Sequence, residues 1–293
     1  MHILITDSGV GGLSVCAYAE RFLRLNGFRE PVRLTFANAA PENDYGYNSM
    51  GSREEKLKTF DRFLRNVTTR FAPDSIYVAC NTLSVLLSDT RYTATAAIPV
   101  KGIVETGSEL LLRELRSYPR SVAMIFGTQT TIEAGTYPRL LKERGIEVER
   151  IVSQACPGLA DTISEDRAGA RTASEIGKWV RAAVEKPERL DPSCIAYLAC
   201  THYGYRSELF AAAFAEAGIE ATVLNPNERA VEDLFGTAGG SARNEPQLDI
   251  DVQFFTRYRI PDATVETLTY FLGDIAPATV DAMQNFVTIP DLF

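Results

Sequence analysis

The sequence predicts an α/β fold with two pseudo-symmetric domains and mainly parallel sheets. Buried strands alternate with helical segments along the chain, and one strand-end pattern occurs twice. Its copies are Ile76 to Thr82 and Ile195 to His202; in each, an apolar run ends in Ala-Cys and polar residues of helical character follow. Each cysteine should therefore lie at the carboxyl end of a buried strand, where open α/β sheets place their chemistry. Two such ends suggest an active-site cleft between the domains, with a thiol on each wall.

The first half-molecule opens with a strand, a glycine-rich turn and a helix. The turn, Asp7 to Gly12, allows backbone to approach a ligand, but its glycine spacing fits neither a dinucleotide fingerprint nor a Walker A loop. Ser52 to Glu55 is typical of a capping box. The stretch from Asn38 to Gly51 is polar and carries two tyrosines, so we expect a long functional loop. The predicted elements are strand His2 to Thr6, helix Leu13 to Asn26, strand Val32 to Ala37 and a helix from Ser52 to about Arg70.

The same plan begins again after Val104, which predicts domains at 1–104 plus 223–293 and at 105–222. A Gly/Thr turn, Gly127 to Thr131, follows the first strand of the second half. A tail with Pro277 and Pro290 is left over. The other predicted segments are helix Ser108 to Arg116, strand Val122 to Phe126, strand Ile146 to Val152, helix Arg171 to Glu185, strand Ala221 to Leu224, helix Glu228 to Phe235, linker Thr237 to Pro246, strand Ile250 to Phe255 and helix Asp262 to Leu272.

Composition narrows the classes of partner. The chain has 293 residues and a net charge of −8, and it contains no cluster of basic residues with aromatic residues between them. We therefore expect neither nucleic acid nor a membrane as partner. No apolar run reaches the length of a membrane span, which makes the cytoplasm the expected compartment. Five cysteines should be reduced thiols there. With two histidines and no Cys-x-x-Cys pair, we expect no metal site.

The two strand-end cysteines, Cys80 and Cys200, are the strongest candidates for catalysis. Each precedes a predicted helix N-terminus, which stabilises a thiolate. Buried cysteines are often only small hydrophobic residues, but the recurrence of the pattern favours function. His202 lies two residues after Cys200, and Asp7 ends the first strand at the edge that should carry Cys80. Either could exchange a proton with its thiol, although a structural histidine and a helix-capping aspartate are the alternatives.

Neutral hydrogen-bonding groups cluster in the same turns. Hydroxyls in turns and caps are common for structural reasons, so each is weak evidence taken alone. Together they describe a polar, uncharged pocket suited to a small zwitterion with carboxylates. The groups are Ser8, Asn81, Thr82, Thr128, Thr130, Thr131 and Thr201.

At these residues the chain resembles the glutamate racemases of the aspartate/glutamate racemase superfamily. The matching segments follow the family's order with compatible spacing and extend from Ile3 to at least Thr256. The first motif and the two cysteine motifs are the most specific. The segments are Asp7 to Ser14, Tyr45-Gly46, Ala79 to Thr82, Gly127-Thr128 with Thr131, Cys156-Pro157, and Ala199 to Tyr203.

The resemblance implies a cofactor-independent, metal-free racemisation of a small amino acid, glutamate, for peptidoglycan synthesis. One cysteine would remove the α-proton while the other delivers a proton to the opposite face. Asp7 would assist Cys80, and His202 would assist Cys200. The implied substrate contacts are Asp7, Ser8, Tyr45, Gly46, Asn81, Thr82, Thr128, Thr131, Thr201 and His202.

The chain departs from the family pattern at a few positions. Asp44 replaces the proline before Tyr45-Gly46, and Gly204 replaces the proline after His202-Tyr203. The glutamate that orients the family's histidine falls on Ser164, with Glu165 one residue further as the candidate carboxylate. These departures leave two alternatives: a racemase of aspartate or another small acid, and a non-catalytic relative that binds a small ligand. A homodimer is left open.

Overall fold

The chain is described from a computed structural model over residues 1–26, 30–187, 193–236 and 250–293. It divides into two compact units, Met1–Ile103 with Asn227–Phe293, and Val104–Pro226. The predicted linker at 237–246 lies outside the described residues. The domain boundaries predicted from the sequence, 1–104 plus 223–293 and 105–222, stay a prediction.

Strands and helices alternate over most of the chain. Short 3₁₀ turns occupy Leu87–Asp89, Thr93–Thr95, Val148–Arg150 and Tyr203–Arg206. The strands and α-helices are β1 His2–Asp7, α1 Leu13–Asn26, β2 Val32–Asn38, α2 Arg53–Phe71, β3 Ser75–Val78, α3 Asn81–Ser84, β4 Val100–Gly102, α4 Ile103–Ser117, β5 Val122–Gly127, α5 Gln129–Glu133, α6 Thr136–Glu143, β6 Ile151–Ala155, α7 Leu159–Glu165, α8 Ala170–Val184, β7 Ser193–Ala199, α9 Ser207–Glu216, β8 Glu220–Leu224, α10 Pro226–Phe235, β9 Ile250–Thr256, α11 Asp262–Leu272, α12 Pro277–Gln284 and β10 Val287–Thr288.

The sheet of the first unit runs β10-β9-β2-β1-β3-β4, and every pairing in it is parallel. β1 is almost completely buried because helices cover both faces of such a sheet. Asp7 at the end of β1 pairs with Asn38 of β2. On the other side the Ala79 amide donates to the Thr6 carbonyl at 2.9 Å, which continues the β1–β3 ladder to the residue before Cys80.

The sheet of the second unit runs β6-β5-β7-β8 and is also parallel throughout. β5 has the same neighbours in chain order as β1: the next strand lies on one side, and the strand after that on the other. Gly127 at the end of β5 pairs with Ala199, the residue before Cys200. Cys80 and Cys200 therefore occupy equivalent strand ends in their sheets. The predicted α/β class with two pseudo-symmetric, mainly parallel sheets is confirmed.

The predicted capping box opens α2 as expected. Ser52 is the N-cap residue, and its hydroxyl accepts from the Glu55 amide at 3.1 Å. The helix then buries one face, which is made by Phe60, Phe63, Leu64 and Val67. No helix among the described residues is long and apolar enough to cross a membrane.

Four local expectations were wrong. The strand predicted from Ile146 to Val152 is Ile151–Ala155, because residues 148–150 form a 3₁₀ turn. α4 begins at Ile103 rather than near Ser108, directly after β4. The residues after Cys200 form a 3₁₀ turn, so the α-helix there starts only at Ser207. The tail contains α12, since Pro277 occupies the start of the helix, where its missing N–H is harmless.

The start of α12 is held by a buried carboxylate from α1. Glu20 is fully buried and accepts from the Ala278 amide at 3.0 Å and from the Thr279 amide at 2.8 Å. Arg24, one turn along α1, pairs with the same carboxylate at 2.8 Å. An anion at a helix N-terminus satisfies its free N–H groups and favours its dipole. Glu20 thus anchors the C-terminal segment to the first unit.

Candidate active site

The Cys80 half-site lies where β1 and β3 end. Cys80 is buried and serves as the N-cap residue of α3, the short helix that the sequence predicts after the Ala-Cys strand end. Ser8 Oγ and Cys80 Sγ are 3.0 Å apart, within hydrogen-bond distance for sulfur. Asn81 and Thr82 follow in the first turn of α3, and both are buried. The structure therefore brings together four of the residues predicted for this half-site, with Asp7 as a fifth.

The surroundings of Cys80 favour the protonated thiol. Burial raises the pKa of Cys80 to about 12, and the negative charge of Asp7 contributes in the same direction. Hydrogen bonds from the Ser8 side chain and backbone act in the opposite direction and lower the pKa of Cys80. Near neutral pH the resting group is thus a neutral thiol that can donate a proton. It becomes a base only when a further interaction favours its thiolate.

Asp7 is held close by the glycine-rich turn. A Cβ atom on Gly12 would lie 2.8 Å from Asp7 Cβ and 2.9 Å from Asp7 Oδ2. Only glycine permits this approach of the turn backbone to the carboxylate. Packing around Asp7 thus explains why position 12 of this turn is a glycine.

The loop with Tyr45 and Gly46 lies beside the start of α2. The Tyr45 hydroxyl donates to Glu55 Oε1 at 2.6 Å, and the Tyr45 side chain is partly exposed. A Cβ atom on Gly46 would meet nothing within 4 Å, so space is open at that position. Asp44, the departure from the family pattern, is exposed to solvent.

The Cys200 half-site lies where β5 and β7 end. Cys200 and Thr201 are buried, and His202 is half-buried. Cys200 Sγ lies 4.0 Å from His202 Nδ1, which places the imidazole beside the thiol. The 3₁₀ turn that follows brings the Tyr203 amide to the Cys200 carbonyl at 3.0 Å. The predicted pairing of Cys200 with His202 is thus present within this unit.

The Gly/Thr turn after β5 lies next to Cys200 because Gly127 pairs with Ala199. Thr128 caps α5: its hydroxyl accepts from the Thr131 amide at 3.3 Å and lies 3.0 Å from Thr131 Oγ1. The two hydroxyls therefore have a structural role as a helix cap. Thr131 is buried, whereas Thr128 is less so.

The two half-sites differ at one equivalent position. Where β1 ends in Asp7, β5 ends in Gly127. A Cβ atom on Gly127 would lie 3.2 Å from Ile132 Cδ1 and 3.3 Å from Thr131 Cγ2, so a carboxylate side chain would be crowded. The titratable group beside Cys200 comes instead from His202. The two cysteines therefore have different titratable neighbours.

Glu165, the candidate carboxylate for His202, ends α7 with its side chain 57% exposed and pairs with Arg171 at 3.3 Å. Ser164, at the position of the family's glutamate, is buried, and its hydroxyl donates to the Ala160 carbonyl. These contacts give Glu165 a surface ion pair. A role in orienting His202 stays a prediction.

Sequence reasoning assigned no role to two buried tyrosines near the cysteines. Within the described residues the Tyr47 hydroxyl has no hydrogen-bond partner, and burial, with a smaller contribution from Cys80, raises the pKa of Tyr47. Tyr203 donates from its hydroxyl to the Cys156 carbonyl at 3.2 Å. This contact joins the turn after Cys200 to the segment Cys156-Pro157. An aromatic residue two positions after Tyr45 in an otherwise polar loop was the available signal for Tyr47.

All five cysteines are free and buried. Over the ranges that the structure describes, no group of three histidine, cysteine, aspartate or glutamate side chains is arranged to hold a metal ion. The fold and the half-sites define a class: α/β proteins with two parallel sheets and a buried thiol at the equivalent strand end of each.

Comparison with known proteins identifies the family within that class. No protein-family model matches the chain. The chain is 28% identical over 249 residues to the glutamate racemase of a Nitratiruptor species, an alignment that covers 84% of this chain and 87% of that protein. It is 30% identical over 206 residues to the glutamate racemase of Aquifex aeolicus, covering 69% and 71% respectively. The chain belongs to the glutamate racemase family.

The fold agrees with this assignment. The crystal structure of a glutamate racemase isoform from Bacillus anthracis matches with a TM-score of 0.71 at 22% identity, covering 98% of this chain and 97% of the other.

Proposed function

We propose that the protein interconverts L- and D-glutamate, with Cys80 and Cys200 as the two acid/base groups. Family membership supports the reaction and the substrate. The observation that carries the choice of residues is the equivalence of the two cysteines. Cys80 follows β3, which pairs with β1, and Cys200 follows β7, which pairs with β5. In both cases an alanine that continues the pairing comes directly before the cysteine. Two chemically alike groups suit a reaction whose two directions are mirror images.

The proposed reaction moves two protons. The thiolate of one cysteine takes the α-proton, and the electron pair of the broken C–H bond stays on the α-carbon. The thiol of the other cysteine then gives its proton to the opposite face of that carbon. The product is the other enantiomer, with the first sulfur protonated and the second deprotonated. The reverse reaction uses the same two groups with their roles exchanged.

The surroundings of Cys80 suit this exchange. With a pKa of about 12 it holds its proton near neutral pH, so it is ready to act as the acid. To act as the base it needs stabilisation of the thiolate, which Ser8 provides in part and the ammonium group of an amino acid would increase. Asp7, next to Cys80 in the sheet, can accept or return the proton. His202 has the corresponding role for Cys200.

The polar groups at the strand ends form the proposed substrate-binding set. They comprise Asp7, Ser8, Tyr45, Gly46, Asn81, Thr82, Thr128, Thr131, Thr201 and His202. Because Asp44 is exposed to solvent, its charge gives no specific support to a substrate other than glutamate.

The reaction supplies D-glutamate for peptidoglycan, and through it cell wall biogenesis and cell shape. We place it in the cytoplasm, where thiols stay reduced. A homodimer is a further prediction, for which the molar mass in solution is the test.

Isotope exchange in D2O tests the proposal. The wild type should incorporate deuterium at the α-carbon of both enantiomers and racemise each. Cys80→Ser and Cys200→Ser should each lower racemisation by at least about 10³-fold, since a hydroxyl is a far weaker acid and its alkoxide is not populated. Cys194→Ser is the matched control, because Cys194 is equally buried but lies inside β7.

Two outcomes would overturn the assignment. If the folded wild type neither exchanges the α-proton of glutamate nor racemises it, yet acts on aspartate or another small acid, the substrate assignment is wrong. Binding of an amino acid with no turnover of any substrate would indicate the non-catalytic alternative.

A further inference from the structure

Glu55 in the first turn of α2 contacts both ends of the loop that carries Tyr45 and Gly46. Its Oε1 accepts from the Tyr45 hydroxyl at 2.6 Å, and its Oε2 accepts from the Gly51 amide at 3.1 Å. Its own amide donates to the Ser52 hydroxyl at 3.1 Å. In an ordinary capping box the side chain returns only to the N-cap region. Here one oxygen does that through Gly51, and the other reaches Tyr45, ten residues earlier.

Buried side chains hold the rest of the loop against α2. Tyr47 is buried, and its ring lies edge-to-face on Phe60 of α2 with centroids 6.2 Å apart. Met50 is also buried. Residues 42–45 and 48–49 are exposed, and next to them the Ser49 amide donates to the Gly46 carbonyl at 2.9 Å. The Tyr45–Glu55 contact ties this exposed stretch to α2, immediately before Gly46.

The contact is a strong one for its position. A phenol donating to a carboxylate at this distance forms a charge-assisted hydrogen bond. The carboxylate also lies at the N-terminus of a 19-residue helix, whose dipole favours its charged form. The hydrogen bond to Glu55 raises the pKa of Tyr45, so the phenol keeps its proton through the physiological range.

We propose that Glu55 is a positioning residue for substrate binding: its bond to Tyr45 fixes the backbone of Tyr45 and Gly46 in the conformation that binds the amino acid. This inference rests on the proposed function for its substrate, but the loop restraint itself does not. Without the bond, the exposed half of the loop samples other conformations, and substrate binding has to select the competent one. The apparent affinity falls by the fraction of competent loop, while the chemical step at the cysteines is unchanged.

Three variants test the proposal. Tyr45→Phe removes only the hydroxyl, and Glu55→Gln removes the charge while keeping a side chain that suits a capping box. Both should raise KM for glutamate about fivefold, as expected for a lost hydrogen bond to a charged group at an exposed site, with kcat changed less than about twofold. Glu54→Gln is the matched control: Glu54 lies in the same first turn and carries the same charge near the helix dipole.

A double-mutant cycle and hydrogen exchange complete the test. The combined Tyr45→Phe, Glu55→Gln variant should be no worse than either single variant, because both remove one bond. The amides of residues 45–51 should exchange faster in both single variants than in Glu54→Gln, whether or not the protein racemises glutamate. Additive effects on KM, a change in kcat with KM unaltered, or unaltered exchange in that loop would overturn the proposal. If exchange changes as expected but glutamate is not a substrate, the failure lies with the proposed function.

Discussion

At Cys80 two opposing influences act on one thiol. Burial and Asp7 favour the proton, and Ser8 favours the thiolate. A cysteine that alternates between acid and base needs both, since a thiolate that is too stable would not take a proton from carbon and one that is too unstable would not form. The chemistry of this half-site is thus decided by side chains on β1 and its following turn, 72 residues before Cys80 in the case of Ser8.

Replacing Ser8 with alanine should raise the pKa of Cys80 further. The bond from its hydroxyl lowers that pKa, so its loss moves the thiolate to higher pH. At a fixed pH below the pKa, alkylation of Cys80 should slow about tenfold, the change expected for a hydrogen bond to a charged group. Mass spectrometry of the Cys80 peptide after iodoacetamide treatment over a pH series measures it.

Ser14→Ala is the control for this prediction. Ser14 lies in the same region, but its hydroxyl donates to the Gly11 carbonyl instead of contacting the thiol. Equal alkylation profiles for Ser8→Ala and the wild type would show that Ser8 does not act on the thiolate.

At the scale of elements, the sequence predicted best where local pattern and tertiary structure agree. β1, α1, α2 and α11 lie where the sequence predicts them, within a residue or so at each end. The strand near Ile146 was misplaced because apolar residues there belong partly to a 3₁₀ turn, whose Arg150 side chain donates to carbonyls of Leu115 and Ser121. That anchor joins segments about 30 residues apart and leaves no local signal.

The candidate site shows the same division. The sequence predicted the strand-end positions of Cys80, Cys200, Asp7 and His202, because the carboxyl ends of parallel strands meet at one edge of each sheet. The roles of these residues stay a prediction. The Tyr45–Glu55 bond and the buried hydroxyl of Tyr47 were not found, because both depend on how an irregular loop folds onto α2. Side chains that act through a loop need its coordinates.

The start of helix α12 is held by a residue far away in the sequence. Its first turn donates to Glu20 of α1, more than 250 residues earlier, and that carboxylate is completely buried. Glu20→Ala should lower the free energy of unfolding by about 3 kcal/mol, because it leaves buried N–H groups and Arg24 without their acceptor. Urea denaturation followed by circular dichroism measures the change.

The control for this prediction is Glu143→Ala. Glu143 forms an exposed i,i+4 pair with Arg139, so its loss should change stability by only about 0.3 kcal/mol. A loss of similar size in both variants would mean that Glu20 acts as a surface charge rather than as an anchor.

At the scale of the whole molecule, the unlike helpers of Cys80 and Cys200 raise the question of whether the two directions of the reaction differ in rate. Asp7 and Ser8 lie at one thiol, and His202 lies at the other. The two enantiomers have equal free energies in water, so the equilibrium constant is unity. The ratio of kcat/KM for the two directions must therefore also be unity, at every pH and in every variant. Asymmetry of the half-sites can appear only in kcat and KM separately, and in which proton transfer limits the rate.

Primary isotope effects should reveal that asymmetry. In the proposed mechanism, one cysteine takes the α-proton from L-glutamate and the other takes it from D-glutamate. Ser8→Ala weakens only the Cys80 half-site, so it should lower kcat/KM equally in both directions, by up to about tenfold. The primary effect of α-deuteration on kcat/KM should increase for the enantiomer whose α-proton goes to Cys80, because that transfer becomes more rate-limiting. For the other enantiomer the effect should stay constant or decrease. Equal increases for both enantiomers would indicate that one group, rather than two, handles both protons, and the two-base assignment would be wrong.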